Sequence, residues 1–144
     1  MSHNTIQLFN SSFENLINYI MTIPELKYNK DIIVGKEAYN ILRSMNVSKP
    51  LELAVQYIWT IFRNEIIEHN EKYFIEMTEE KIRKLIKDNM TIEVDYTAVF
   101  EQIHFFRTLW TTQLKEDVKT KLWKYCELLM KLCDRYADEL KERV

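Results

Sequence analysis

The chain is predicted to fold as an all-α protein, and three observations carry that expectation. There is one glycine, Gly35, and there are two prolines, Pro24 and Pro50, in 144 residues. Between them run long stretches with apolar residues at helical spacing. Dipeptides such as Asn-Gly or Asp-Gly, which close hairpins, are absent. Turn-rich β structure needs such punctuation every few residues, so helices are the remaining way to bury a 47% apolar chain.

The expected architecture is a compact bundle of five or six helices in one domain, residues 1–144, ending in an antiparallel helical hairpin. A first helix is expected from about Thr5 to Thr22, burying Phe9, Phe13, Leu16, Ile17 and Ile20. Ile23-Pro24 stops it, because the residue before proline is pushed out of α geometry. A second, from Asn29 or Asp31 to Met45, presents Val34, Ala38, Ile41, Leu42 and Met45 as its packing face. Gly35 lies inside it, marking either close contact with another helix or a break in the first turn. Asn46 suits a left-handed cap.

Ser48 is placed to cap a third helix, with Pro50 in its first turn. This helix reaches about His69 on a stripe of Leu51, Val55, Ile58, Trp59, Phe62 and Ile66. Residues 70–77 read as a connector plugged by Tyr73 and Phe74. Thr78 then caps a short helix anchored by Ile82, Leu85 and Ile86, and residues 90–95 read as briefly extended. Asp95 caps the fifth, whose face is Tyr96, Val99, Phe100, Ile103, Phe106 and Trp110. The last, about Glu116 to Lys141, carries Val118, Leu122, Tyr125, Cys126, Leu129, Cys133, Tyr136 and Leu140. The short connection at 111–115 favours the hairpin.

The last helix is wider in its apolar arc than an ordinary surface helix requires. Leu114, Leu128 and Leu132 flank the stripe on one side, and Trp123, Met130 and Ala137 on the other. Such an arc exceeds half the circumference, where a stripe somewhat wider than about 100° suffices. Either the helix is central and covered by several neighbours, or one edge meets another protein. On the second reading Trp123 is the anchor, with Met130, Leu128 and Leu132 beside it.

Charge and motifs exclude several function classes. Net charge is -2, and residues 1–75 hold 7 basic and 8 acidic side chains, so no basic face for nucleic acid is indicated. The only local basic cluster is Lys81, Arg83, Lys84 and Lys87, read as a solvated helix face or, less simply, as a seat for an acidic partner. No stretch has the length of uninterrupted apolar sequence that a membrane helix needs, and residues 1–22 do not read as a signal peptide. Neither Met1-Ser2 nor the terminal Glu-Arg-Val is a lipidation signal, so a cytoplasmic protein is expected. Cys126 and Cys133, seven apart on one helix, are separated by about 10.5 Å along its axis. That exceeds the roughly 7 Å a disulfide spans, and both read as small buried hydrophobes.

Phosphate loops, paired-cysteine metal motifs and nucleophile elbows are missing. Glu101-Gln-Ile-His104 is half of a di-iron helix-bundle motif, but it occurs once, off the apolar stripe and toward solvent or a rim. His69, four after Glu65, reads as a histidine favoured by the dipole at a helix end. Neither catalytic residues nor a cofactor or metal are expected; a small metal protein using Glu101 and His104 is the outlying alternative.

Three passages carry a resemblance. They are Phe9…Phe13-Glu14-Asn15-Leu16-Ile17…Ile20 before Pro24; Pro50-Leu51-Glu52-Leu53 leading to Phe62…Glu65-Ile66-Ile67…Asn70-Glu71-Lys72-Tyr73-Phe74-Ile75; and Leu109-Trp110 before Lys121-Leu122-Trp123-Lys124-Tyr125…Leu128-Leu129. In these the chain resembles small helical proteins of unknown function from nucleocytoplasmic large DNA viruses. The abundance of Ile, Asn, Lys and Tyr, typical of AT-rich coding, fits. The resemblance brings no active residues with it, and it implies the host cytoplasm or the virion as location. The expectation is therefore a non-catalytic interaction or structural protein acting through a helical surface, on another protein or on a second copy. The alternative is a decoy of a host helical regulator, which needs an exposed apolar groove between helices.

Overall fold

A computed structural model describes residues 2–91 and 93–142. Met1, Ile92, Arg143 and Val144 lie outside the described residues, and with them part of the 90–95 stretch and the termini read for lipidation signals. Helices form all the regular structure among the described residues. They are α1 (Ser2–Ile20), α2 (Lys30–Met45), α3 (Lys49–Ala54), a π-helical turn (Val55–Trp59), α4 (Thr60–Ile67), α5 (Glu71–Ile75), α6 (Glu79–Asn89), α7 (Tyr96–Thr112) and α8 (Glu116–Glu142).

The closest helix pairing is α1 along α8. Their apolar faces meet at Phe9, Leu16, Leu129, Met130, Leu132, Cys133 and Tyr136, and Leu51 of α3 joins them with nothing exposed. The wide apolar arc of α8 is thus largely spent inside the molecule. Met130 and Leu132, expected at an interaction edge, are 3% and 7% exposed. They are core residues, because α8 is covered by several neighbours, the first of the two readings: α1, the π turn and α4 pack on it, and Leu51 of α3 joins the cluster. A smaller cluster joins Ile23 and Leu26, in the turn after α1, to Leu109 of α7, with Leu114, Val118 and Leu122 against it.

Several polar groups inside this packing are bonded. The hydroxyl of Thr5 donates to Glu139 at 2.7 Å, and the Asn10 amide to the Val47 carbonyl at 2.9 Å. The Tyr39 hydroxyl donates to the Asn10 carbonyl at 3.2 Å, and burial pushes its pKa up to about 12.

The caps expected at Thr78 and Asp95 form, and Asn29, expected only as a possible start of its helix, is a third. Asn29 accepts from the amides of Asp31 and Ile32, Thr78 from Lys81, and Asp95 from Ala98. Two expected caps do not form. Asn46 is extended (φ -155°, ψ 116°), because its side chain accepts the Ser48 amide instead of its backbone turning left-handed. Ser48 makes no side-chain bond to the start of α3; its hydroxyl is taken by Asn46 and Glu52.

The face expected to pack α2 does not do so. Val34 and Ile41 are 60% exposed and Met45 is 78% exposed. The residue that α2 buries is Tyr39, about 140° round the helix from Val34. Its ring meets Phe13 at 4.8 Å. A long aromatic reaching α1 outcompetes the aliphatic stripe for the position. Nothing lies within 4 Å of a Cβ built on Gly35, so neither a close helix contact nor a helix break explains that glycine.

The rod from Lys49 to Ile67 is continuous, but the π turn resets its face. Widening one turn by a residue shifts the register of the next helix, α4. Ile58, expected inside, is 43% exposed. Trp59 and Arg63 instead converge on Asp134 of α8: the indole at 2.7 Å, the guanidinium at 2.6 and 2.8 Å on the two carboxylate oxygens. These hydrogen bonds, Arg63 first, hold the Asp134 carboxyl below the usual range. The residues read as a connector contain α5, capped by Asn70 on the Tyr73 amide.

Candidate functional site

After the π turn, α4 presents Phe62 and Ile66 to a cavity of about 600 Å³. Five helices build its wall. The α5 segment adds Glu71, Phe74 and Ile75, and α6 adds Ile82, Leu85 and Ile86. From α7 come Val99, Ile103, Phe106, Arg107 and Trp110, and from α8 Leu122, Trp123 and Cys126. The apolar stripes read in α6 and α7 are real, yet they face one another across open space. Leu109 is the one residue of α7 that is fully buried among those described.

Two polar contacts hold the walls apart at a fixed distance. The Arg107 guanidinium donates to the carbonyls of Phe74 at 2.9 Å and Met77 at 2.7 Å. These are carbonyls at and just past the end of α5, where a helix has no internal donors left. The Trp110 indole donates to the Glu71 carboxylate at 2.6 Å. Both charged lining residues are therefore engaged in positioning α5 and α7, and the remaining wall is almost wholly carbon and sulfur.

Aromatic rings form the floor. Trp123 meets Trp110 edge to face at 5.8 Å and Phe74 at 6.2 Å, and Phe74 meets Phe62 at 5.7 Å. These separations suit ring pairs, but large rigid rings leave gaps that aliphatic chains would fill. At the rim His69 lies at φ 52°, a left-handed conformation uncommon outside glycine. Its ring stacks on Trp123 at 5.1 Å and its Nε2 is 3.2 Å from Glu127. The dipole reading of His69 misses this, since the residue lies beyond the end of α4 and braces Trp123. Hydrogen bonds from Lys131, then His69, hold the Glu127 carboxyl below its ordinary range.

Of the four residues read as an interaction edge, the structure brings Trp123 to the groove. Leu128 is 44% exposed but outside the lining, and Met130 and Leu132 are interior. Phe106, 38% exposed at the mouth, and Arg107 were missed as site residues. Phe106 was legible only as one more position on an apolar face, and the role of Arg107 depends on the unforeseen α5. Glu101 and His104 are exposed on α7, and no group of three or more possible metal ligands forms among the described residues. Burial pushes the Cys126 thiol up to about 11 and Cys133 up to about 12. Among the described residues no helix is long and apolar enough to cross a membrane.

No protein-family model, curated protein or solved structure matches this chain.

Proposed function

We propose that the chain is a binding protein whose groove between α4 and α8 receives an amphipathic helix. The observation that carries this is the groove itself: about 600 Å³, walled by five helices, with its two charged residues already committed to the wall. A cavity of that size is in the range of ligand sites. An open apolar trough with Phe106 at its mouth and Trp123 on its floor suits helix anchors spaced three and four residues apart. Binding rather than catalysis is the reading, because the lining offers no free acid, base or nucleophile; its one thiol, Cys126, is held protonated by burial.

The test places a photo-cross-linking phenylalanine analogue at position 106 and maps what it captures in the native cells. A cross-link to apolar residues of a helical segment is the expected result. Capture of nothing, with the protein folded and abundant, contradicts the reading. A second reading, a viral decoy of a host groove-bearing regulator, draws on the same open groove. It requires the captured segment to belong to a host protein. A virion-associated structural role requires it to belong to the virus.

A further inference from the structure

The molecule holds an open apolar groove and an amphipathic helix whose apolar stripe faces solvent. Val34, Ala38, Ile41 and Met45 repeat at i, i+4, i+7 and i+11 along α2, the spacing of groove-binding helix anchors. All four are exposed, three of them by 60% or more. Building on the groove reading, we infer that α2 of one copy docks in the groove of a second copy.

Geometry rules out the intramolecular version. The α2 helix is held at one end of the rod, against α3 and α1, through Tyr39 on Phe13 and Arg43 on Glu14 at 3.4 Å. The groove opens at the other end, around Phe62 and Ile66. Leu51 and Ile66 are separated by about 22 Å along that rod, and no residue of α2 lines the cavity. Donor and acceptor surfaces are thus distinct and cannot meet within one chain.

Area argues against the simplest alternative, α2 against α2. With 16 residues, α2 is about 24 Å long and roughly 10 Å wide. Face to face, two such helices touch along one stripe with a footprint of about 240 Å², whereas a groove meets the same helix on several sides. The anchor side chains of that stripe, set into the groove, would meet α5, α6 and α7 as well as the α8 floor, so both the stripe and the cavity wall leave water. The contact is head to tail, and its product is a ring or a chain of copies rather than a two-fold dimer.

Complementation of two blocked variants tests this. Ile41→Glu spoils the donor stripe, Phe106→Glu spoils the acceptor mouth, and Phe105→Glu, exposed beside the groove but outside its lining, is the control. Molar mass is followed by sedimentation from micromolar to millimolar protein, with circular dichroism confirming the fold. The wild type and control should grow in mass with concentration, each blocked variant should stay monomeric, and their equimolar mixture should stop at a one-to-one pair. If Phe106→Glu still dimerises while Ile41→Glu does not, α2 pairs with α2, and this inference falls while the groove reading stands. A wild type that stays monomeric throughout also overturns it, and the cross-link at position 106 then decides the groove reading separately. Should Phe106→Glu fail to fold, a photo-reactive methionine analogue at position 45 of the otherwise unaltered chain replaces it. Cross-links into residues 99–110 or 122–126 of another copy support the docking, and cross-links only to α2 overturn it.

Discussion

Around Leu51 and Cys133, three helices close so completely that neither side chain is exposed. Around Trp123 and Phe106, five helices built from the same kinds of residue leave a cavity of about 600 Å³. The difference lies in what sets the helix spacing. In the first region α1 lies along α8 with Phe9 and Tyr136 packed among aliphatic and sulfur side chains, and interdigitation fixes the distance. In the second, spacing is fixed by Arg107 on the end of α5 and by Trp110 on Glu71. Apolar area alone does not make a core; the helices must also be free to close on it.

The comparison breaks most visibly at Leu51. Leu51→Ala should cost about 2–5 kcal/mol, because a fully packed site cannot collapse around the hole; chemical denaturation measures it. A loss under about 1 kcal/mol would mean that the α1–α3–α8 region is as slack as the groove. Next comes Asp134, which joins the two regions by receiving Trp59 and Arg63. Asp134→Ala strands two donors and should cost about 1–3 kcal/mol. Its carboxyl is depressed in the folded chain, chiefly by Arg63. Its contribution to stability is therefore present above the unfolded pKa near 3.9 and is lost as pH falls through the lower folded value. The stability advantage of the wild type over Asp134→Asn should shrink as pH drops below about 4. An advantage independent of pH would show that the carboxyl is not held in the charged form.

Thiol reactivity sharpens the contrast without altering the fold. Cys126 lines the groove and Cys133 is fully buried, with pKa values pushed to about 11 and about 12. Timed alkylation with peptide mapping should modify Cys126 first, slowly, and more slowly still when the groove is occupied. Equal rates at both thiols would mean modification through unfolding. The smallest effect is expected at Gly35, where a Cβ meets open space. Gly35→Ala should raise the melting temperature by the equivalent of about 0.5–1 kcal/mol; a lower melting temperature would point to a contact at this position.

Legibility in the sequence depends on which interactions are local. Helix starts at Thr78 and Asp95 are written in a cap and the residues beside it, and both form. The burial of Phe9, Leu16 and Leu129 comes from a 3.6-residue period. Illegible features depend on distant partners. Ile58 turns outward because a π turn lets Trp59 and Arg63 reach Asp134, 71 residues away from Arg63. The α2 stripe stays outside because Tyr39 reaches Phe13. Trp123 was readable as the border of an overfull helix, whereas Phe106 became a site residue only once α5 and α6 were placed across from it.

The central claim is that the groove is a working surface and contributes little to folding. One preparation of Phe106→Glu, melted and assayed for cross-linking from position 123 in place of 106, tests it most directly. The account predicts a melting curve within about 1 kcal/mol of the wild type, as for exposed positions, together with loss of the cross-linked helix. A variant destabilised by several kcal/mol, or one that still captures the same helix, would contradict it.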